Sequence, residues 1–160
     1  MDPTSPEVQA ELVRRHKAAA TTVLGLLVAT ILLSVIAYLG RPYFREQDNP
    51  VLNIGVRIAV LILGLGAIAW RRTKFATMRL QDITGLQGPS GLLKTLEKTT
   101  VQIGLIAAGI TLTGFVATLA SGNDTYTYLA SAIAVVVLVY CYPTKSSWRK
   151  ALYRFTERPS

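Results

Sequence analysis

Four long apolar runs, Ala18–Leu39, Val51–Trp70, Thr99–Ala120 and Tyr126–Tyr142, limit what this 160-residue chain can become. All nine acidic residues fall outside them, and Arg57 is the one basic residue within. The hydrocarbon core of a bilayer is about 30 Å thick and takes roughly 20 apolar residues of helix. The first three runs meet that length. The fourth is shorter and crosses only with local thinning or help from its flanks. A soluble domain of this size would spread its charges along the chain, and runs this long without charge are seldom core helices. The sequence therefore predicts an all-α integral membrane protein built as a four-transmembrane-helix bundle. It is read as a single membrane domain over 1–160, with spans near 18–39, 51–70, 99–120 and 126–142, a cytoplasmic loop over 71–98 and a cytoplasmic tail over 143–160.

Charge placement sets the expected orientation. Outside the runs, fourteen basic residues lie before the first, between the second and third, or after the fourth, against two (Arg41 and Arg45) in the first loop and none in the third. The positive-inside rule then places both termini and the central loop in the cytoplasm and the protein in the plasma (inner) membrane. Girdles agree, with Tyr38, Tyr43, Tyr126 and Tyr128 at the outer edge and Trp70, Tyr140, Tyr142 and Trp148 at the inner one. The net charge of +8 is thus explained by topology and headgroups, and no nucleic-acid partner is expected. The first run is about twice the length of a signal-peptide core and lacks a cleavage site after it, so it is expected to stay.

The stretch "GLQGPSGLLKT", Gly85 to Thr95, looks at first like a phosphate loop. Such a loop needs its lysine directly after the last glycine, so that backbone N–H groups and the ammonium converge on one phosphate. Here Leu92 and Leu93 intervene before Lys94 and no strand precedes, so a turn is predicted and no nucleotide. Helix two is expected to continue through "RRTKFATMRLQDIT" to a C-cap at Gly85. Pro89-Ser90 then restarts a helix whose Leu92, Leu93 and Leu96 would lie on the membrane surface or on the other cytoplasmic helix. Ser5-Pro6-Glu7 is a helix start leading without a break into the first span. After Pro143, "SSWRKALYRF" aligns Trp148, Ala151, Leu152 and Phe155 on one face with basic residues around them, the pattern of a short interfacial helix beside anionic headgroups.

The halves show some likeness. "TTVLGLL" resembles "TTVQIGLI", and "IAVLIL" matches "IAVVVL" at an offset of 75. Two readings stand: a duplicated helical hairpin as an internal repeat, or chance similarity among apolar segments. The architecture resembles that of the four-helix proteolipids of rotary ATPases, and Gly64-Leu65-Gly66 resembles their glycine-rich helices. The carboxylate those rotors depend on is missing here, however, and the predicted orientation is opposite. In the third run Gly104, Thr111 and Thr118 recur every seven residues with Ala108 on the same side. Gln102, Gly109, Thr113 and Ala120 form a second stripe, with Leu105, Leu112 and Leu119 facing lipid between them. Small residues permit close backbone approach and threonines bond across helices, so Gly104, Ala108, Thr111 and Thr118 are predicted packing residues.

No run carries Asp, Glu, Lys or His, which argues against proton relays, antiporters and exporters that use a membrane glutamate. No nucleophile–base pair or metal-ligand set is present; His16 and the single cysteine, Cys141, lie far apart in sequence. No catalytic residue, metal or cofactor is therefore expected. Arg57 stands about two turns into span two, with Asn53 one turn before it on the same face. Either it snorkels to headgroups, or its planar fork anchors a lipid phosphate or a carboxylate, with Asp124 the favoured protein partner and Glu46 and Asp48 nearby. The function expected from all this is a non-catalytic accessory, assembly or scaffolding subunit that packs against partners or copies of itself in the bilayer. The alternative is an oligomeric small transporter or channel.

Overall fold

The computed structural model describes residues 5–43, 50–74 and 77–156, and among them every regular element is helical. Helix α1 runs over Pro6–Gly40 and is followed by a short 3-10 turn, Arg41–Tyr43. Then come α2 (Pro50–Lys74), α3 (Thr77–Ser121), α4 (Thr125–Tyr140) and α5 (Lys145–Thr156). Ser5 is extended, Pro6 opens α1, and the Gln9 N–H donates to the Ser5 carbonyl at 3.1 Å, while the Ser5 hydroxyl makes no capping bond. Proline suits this position because its missing N–H would be an orphan anyway.

Helices α1, α2 and α3 are long and apolar enough to cross a membrane. With 16 residues α4 is about 24 Å long, short of the roughly 30 Å of a bilayer core. It counts as a fourth crossing only when taken together with α5, from which it is bent by 48°.

The expected cap at Gly85 is displaced. Gly85 is helical, and the chain breaks at Gly88, whose φ of 67° and ψ of −170° divide α3 into limbs 77–87 and 89–121. That conformation is essentially reserved for glycine. Pro89 then sets the first turn of the long limb, much as Pro6 does for α1. "GLQGPSGLLKT" is accordingly two helices meeting at one residue.

Helices α3 and α4 form the central pair. Both touch α1 on one side and α2 on the other, while α1 and α2 make no contact among the described residues. Contacts fix the register. Leu26 meets Gly104 and Thr30 meets Thr111, so α1 runs parallel to α3; Ser34 meets Ser131 and Arg41 meets Asp124, so it runs antiparallel to α4. The likeness between halves does not extend to packing: α3 and α4 pack along their length, and their counterparts α1 and α2 do not.

Buried side chains gather in three clusters. Val60, Ile110 and Ala130 fill the end of the bundle away from α5. Val23, Ala67, Ile103, Ala107, Ala134, Val137, Leu138 and Cys141 fill its middle. The third joins Val8, Leu12 and Ala19 of α1, Leu80, Leu92, Leu93 and Leu96 of α3, and Trp148 and Leu152 of α5, with Ala151 and Phe155 packed against it. This corrects the reading of α5 as a helix resting on headgroups. Its apolar face is covered by protein, as are Leu92, Leu93 and Leu96, because α1 and the long limb of α3 both extend far enough to build a helical cap.

Candidate functional site

The cap carries the densest polar network in the described structure. One helical turn in α1 places Glu11 and Arg15 together, with Arg15 Nε 2.8 Å from Glu11 Oε1. Arg15 Nη1 reaches Glu97 Oε2 of α3 at 2.6 Å, and the Ser90 hydroxyl donates to the other Glu11 oxygen at 2.5 Å. The Ser90 hydroxyl and then Arg15 hold the Glu11 carboxyl below its usual range, and the two carboxylates raise the Arg15 guanidinium above its own. Nearby, His16 Nε2 lies 2.9 Å from the Pro143 carbonyl oxygen, and its ring meets Trp148 edge to face at 5.7 Å. Gln9 Nε2 donates to the Tyr153 hydroxyl at 3.5 Å. These contacts tie α1 to both partners in the cap. His16 and Cys141, remote in sequence, come to the same corner of the fold, since Pro143 is two residues beyond the cysteine. Among the described residues no three His, Cys, Asp or Glu side chains group as metal ligands.

At the opposite end, Asp124 pairs with Arg41 at 3.6 Å rather than with Arg57. The Arg41 side chain is 70% exposed and that of Asp124 14%, so this pair sits at a rim. Arg57 is exposed on α2, and Asn53 is half-buried with its Oδ1 shielded and without a hydrogen-bond partner. Arg57, Asn53 and Asp124 are therefore not brought together as one group. Glu46 and Asp48 lie outside the described residues.

The small-residue stripe of α3 is placed against its neighbours. Gly104 is buried, and a Cβ there would stand 2.9 Å from Leu26 Cδ1. Ala108 is half-buried. Thr111 is buried with its hydroxyl 3.4 Å from that of Thr30, which itself donates to the Leu26 carbonyl at 2.9 Å. Thr118 uses its full hydroxyl capacity: it donates to the Asn123 carbonyl at 2.9 Å and accepts from the Thr127 N–H at 3.2 Å and hydroxyl at 2.8 Å. A buried hydroxyl has one proton to give and two lone pairs to fill, so Thr118 locks the α3–α4 turn. Leu105, Leu112 and Leu119 are exposed. The tightest contact is one that the seven-residue spacing misses: a Cβ on Gly114 would lie 2.3 Å from Ala130 Cβ and 2.6 Å from the Tyr126 carbonyl oxygen. Gly64 is similar, with Ile133 Cγ2 at 2.6 Å. Their glycine character is visible in sequence, but the face they need to occupy is not.

No known protein family, curated protein or solved structure matches this chain.

Proposed function

We propose that this chain is a four-span plasma-membrane protein with both termini, the 71–98 segment and α5 on the cytoplasmic side, acting as a non-catalytic accessory, assembly or scaffolding subunit. The observation that supports it best is where the polar chemistry lies. Along the bundle, buried hydroxyls are taken up by helix carbonyls or by one another, as at Thr30, Thr111, Thr118 and Ser131. Ion pairs and a second core are concentrated in the cap. A span region closed by packing and an extramembrane platform with its own core suit a part that positions partners. The expected partner is a membrane protein or a further copy of this chain.

Cysteine labelling tests the placement. In a Cys141→Ser background, Asn123→Cys should react with an impermeant reagent from outside intact cells and Ser146→Cys should not. Labelling of position 146 from outside would overturn the orientation. For the role, purification in mild detergent should return a stoichiometric membrane partner. Selective solute flux through liposomes containing the pure protein would instead establish the transporter reading.

A further inference from the structure

Guanidiniums stand at both ends of α4. At its start Asp124 pairs with Arg41 of α1 at 3.6 Å, and at its finish the Tyr140 carbonyl accepts a hydrogen bond from Arg71 of α2. The 16 residues of α4 between them rise about 24 Å. Its outward stripe, Tyr128, Ala132, Val136 and Val139, is exposed along that length. α5 does not prolong this wall, since Lys145, Arg149 and Lys150 are exposed in its first turns. The neighbouring wall of α2 is bounded at matching levels. Gly64 packs on Ile133 and Arg71 on Tyr140 in one parallel register, so the exposed Arg57 stands level with Tyr126. From Arg57 to Arg71 is about four turns, or about 21 Å. α1 lies across the central pair and out of contact with α2, and it is different: its exposed Lys17 and Arg41 are about 36 Å apart along the helix.

We infer that the α2–α4 side fits a hydrocarbon layer about 24 Å thick, roughly 6 Å less than an ordinary bilayer core, and is covered by lipids with short acyl chains. This rests on the membrane placement proposed above. An ionised side chain in hydrocarbon is costly, and a wall that ends too soon is met by thinning of the bilayer around it. Arg57 has a stem long enough to carry its charge a few ångströms outward to the headgroups. No such adjustment is open to Arg71, which the Tyr140 carbonyl and ring hold in place. The thinning therefore falls mainly on the cytoplasmic leaflet. Tilting moves both ends of a wall together and cannot lengthen α4 against α1. The effect is one-sided, and α1 accommodates a core of full thickness on the same molecule.

Tryptophan reporters read the two sides separately. Leu26 and Leu138 both approach Gly104, so Val28 and Val136, each two positions nearer the outer face, lie at one depth, and both are exposed. The full chain carries Val28→Trp or Val136→Trp together with Trp70→Phe, while Trp148 stays buried in the cap. Each is placed in bilayers that mix dimyristoleoyl-phosphatidylcholine, brominated at its double bonds, with plain dierucoyl-phosphatidylcholine. Val136→Trp should be quenched as though the short chains were enriched about twofold or more over their bulk share. Val28→Trp should follow the bulk share, and moving the bromine to the long chains should reverse the deviation at Val136→Trp. Equal quenching at the two positions, or enrichment of long chains at Val136→Trp, would overturn the thin wall. So would a Val136→Trp that neither lipid quenches, because a second copy or another protein would then cover α4. The unsubstituted chain gives a check free of reporters. Its melting temperature should be highest in dimyristoleoyl- or dipalmitoleoyl-phosphatidylcholine, and a maximum in dioleoyl- or dierucoyl-phosphatidylcholine would refute the inference. An alkaline wash of native membranes keeps the two claims apart: release of the chain defeats the membrane placement, whereas retention with equal quenching defeats only the thin wall.

Discussion

At Gly114 the central helices lie in close contact, and the chemistry there is purely steric. An added methyl would collide with both the Ala130 methyl and the backbone at Tyr126, and backbone cannot turn aside. At Gly104 the obstacle is the end of the Leu26 side chain, which can rotate. Gly114→Ala should therefore cost about 1–3 kcal/mol, the range for overpacking, and Gly104→Ala clearly less, as read by thermal unfolding in detergent. The reverse order would mean that α3 and α4 pack differently. Glu11 makes a second residue-scale claim. Its carboxyl titrates lower in the fold than its ordinary value of 4.5, so its bonds stabilise the protein above that pH. The contribution is lost as pH falls through the folded value. Arg15 is shifted upward, further from any working pH, so its contribution is constant there. Glu11→Gln should remove about 1 kcal/mol at neutral pH and flatten the loss of melting temperature below pH 5. An unchanged acid limb would remove Glu11 from the account.

Among the elements, α3 is the clearest case of what sequence conveys and what it leaves out. Its apolar run was enough to place the long limb, and Pro89 was enough to place a restart. Which glycine carries the turn is not legible, because Gly85 and Gly88 are equally free of side chain, and only the structure shows the positive φ at Gly88. Replacement by alanine separates them. At Gly88, where a Cβ meets nothing, the cost is backbone strain of about 1–3 kcal/mol. At Gly85, helical and equally open, alanine should gain about 0.5–1 kcal/mol from helix propensity. Opposite shifts in melting temperature are expected, and a stabilising Gly88→Ala would refute the turn. The α5 pattern teaches a related lesson. Periodicity reveals that Trp148 and Leu152 share a face, but lipid and protein both cover such a face. Deciding between them needs the lengths of α1 and α3 together. Likewise Asp124 meets Arg41 because α1 ends beside the start of α4, a neighbour relation that no single span discloses.

For the whole molecule, the arrangement is a central α3–α4 pair with α1 and α2 held on either side and not by each other. The two halves are therefore unequal in independence. Expressed as separate fragments, 77–160 should accumulate on its own, while 1–76 should be degraded unless 77–160 is co-expressed. Equal survival of both fragments in isolation would contradict the packing scheme. The same arrangement bears on how the chain is made. At roughly 5–20 residues per second, the end of α4 follows the end of α2 out of the ribosome by about 3–13 s. On the membrane reading proposed above, α1 and α2 are throughout that interval complete, inserted and without the surfaces they will finally occupy. On that reading Thr30 and Ser34 of α1 wait in lipid for Thr111 and Ser131. Each already has a carbonyl of its own helix within reach, Leu26 O at 2.9 Å and Thr30 O at 3.1 Å. A hydroxyl that can bond backward along its own helix can be delivered early, and keep that bond while its distant partner is added when the second half of the chain arrives.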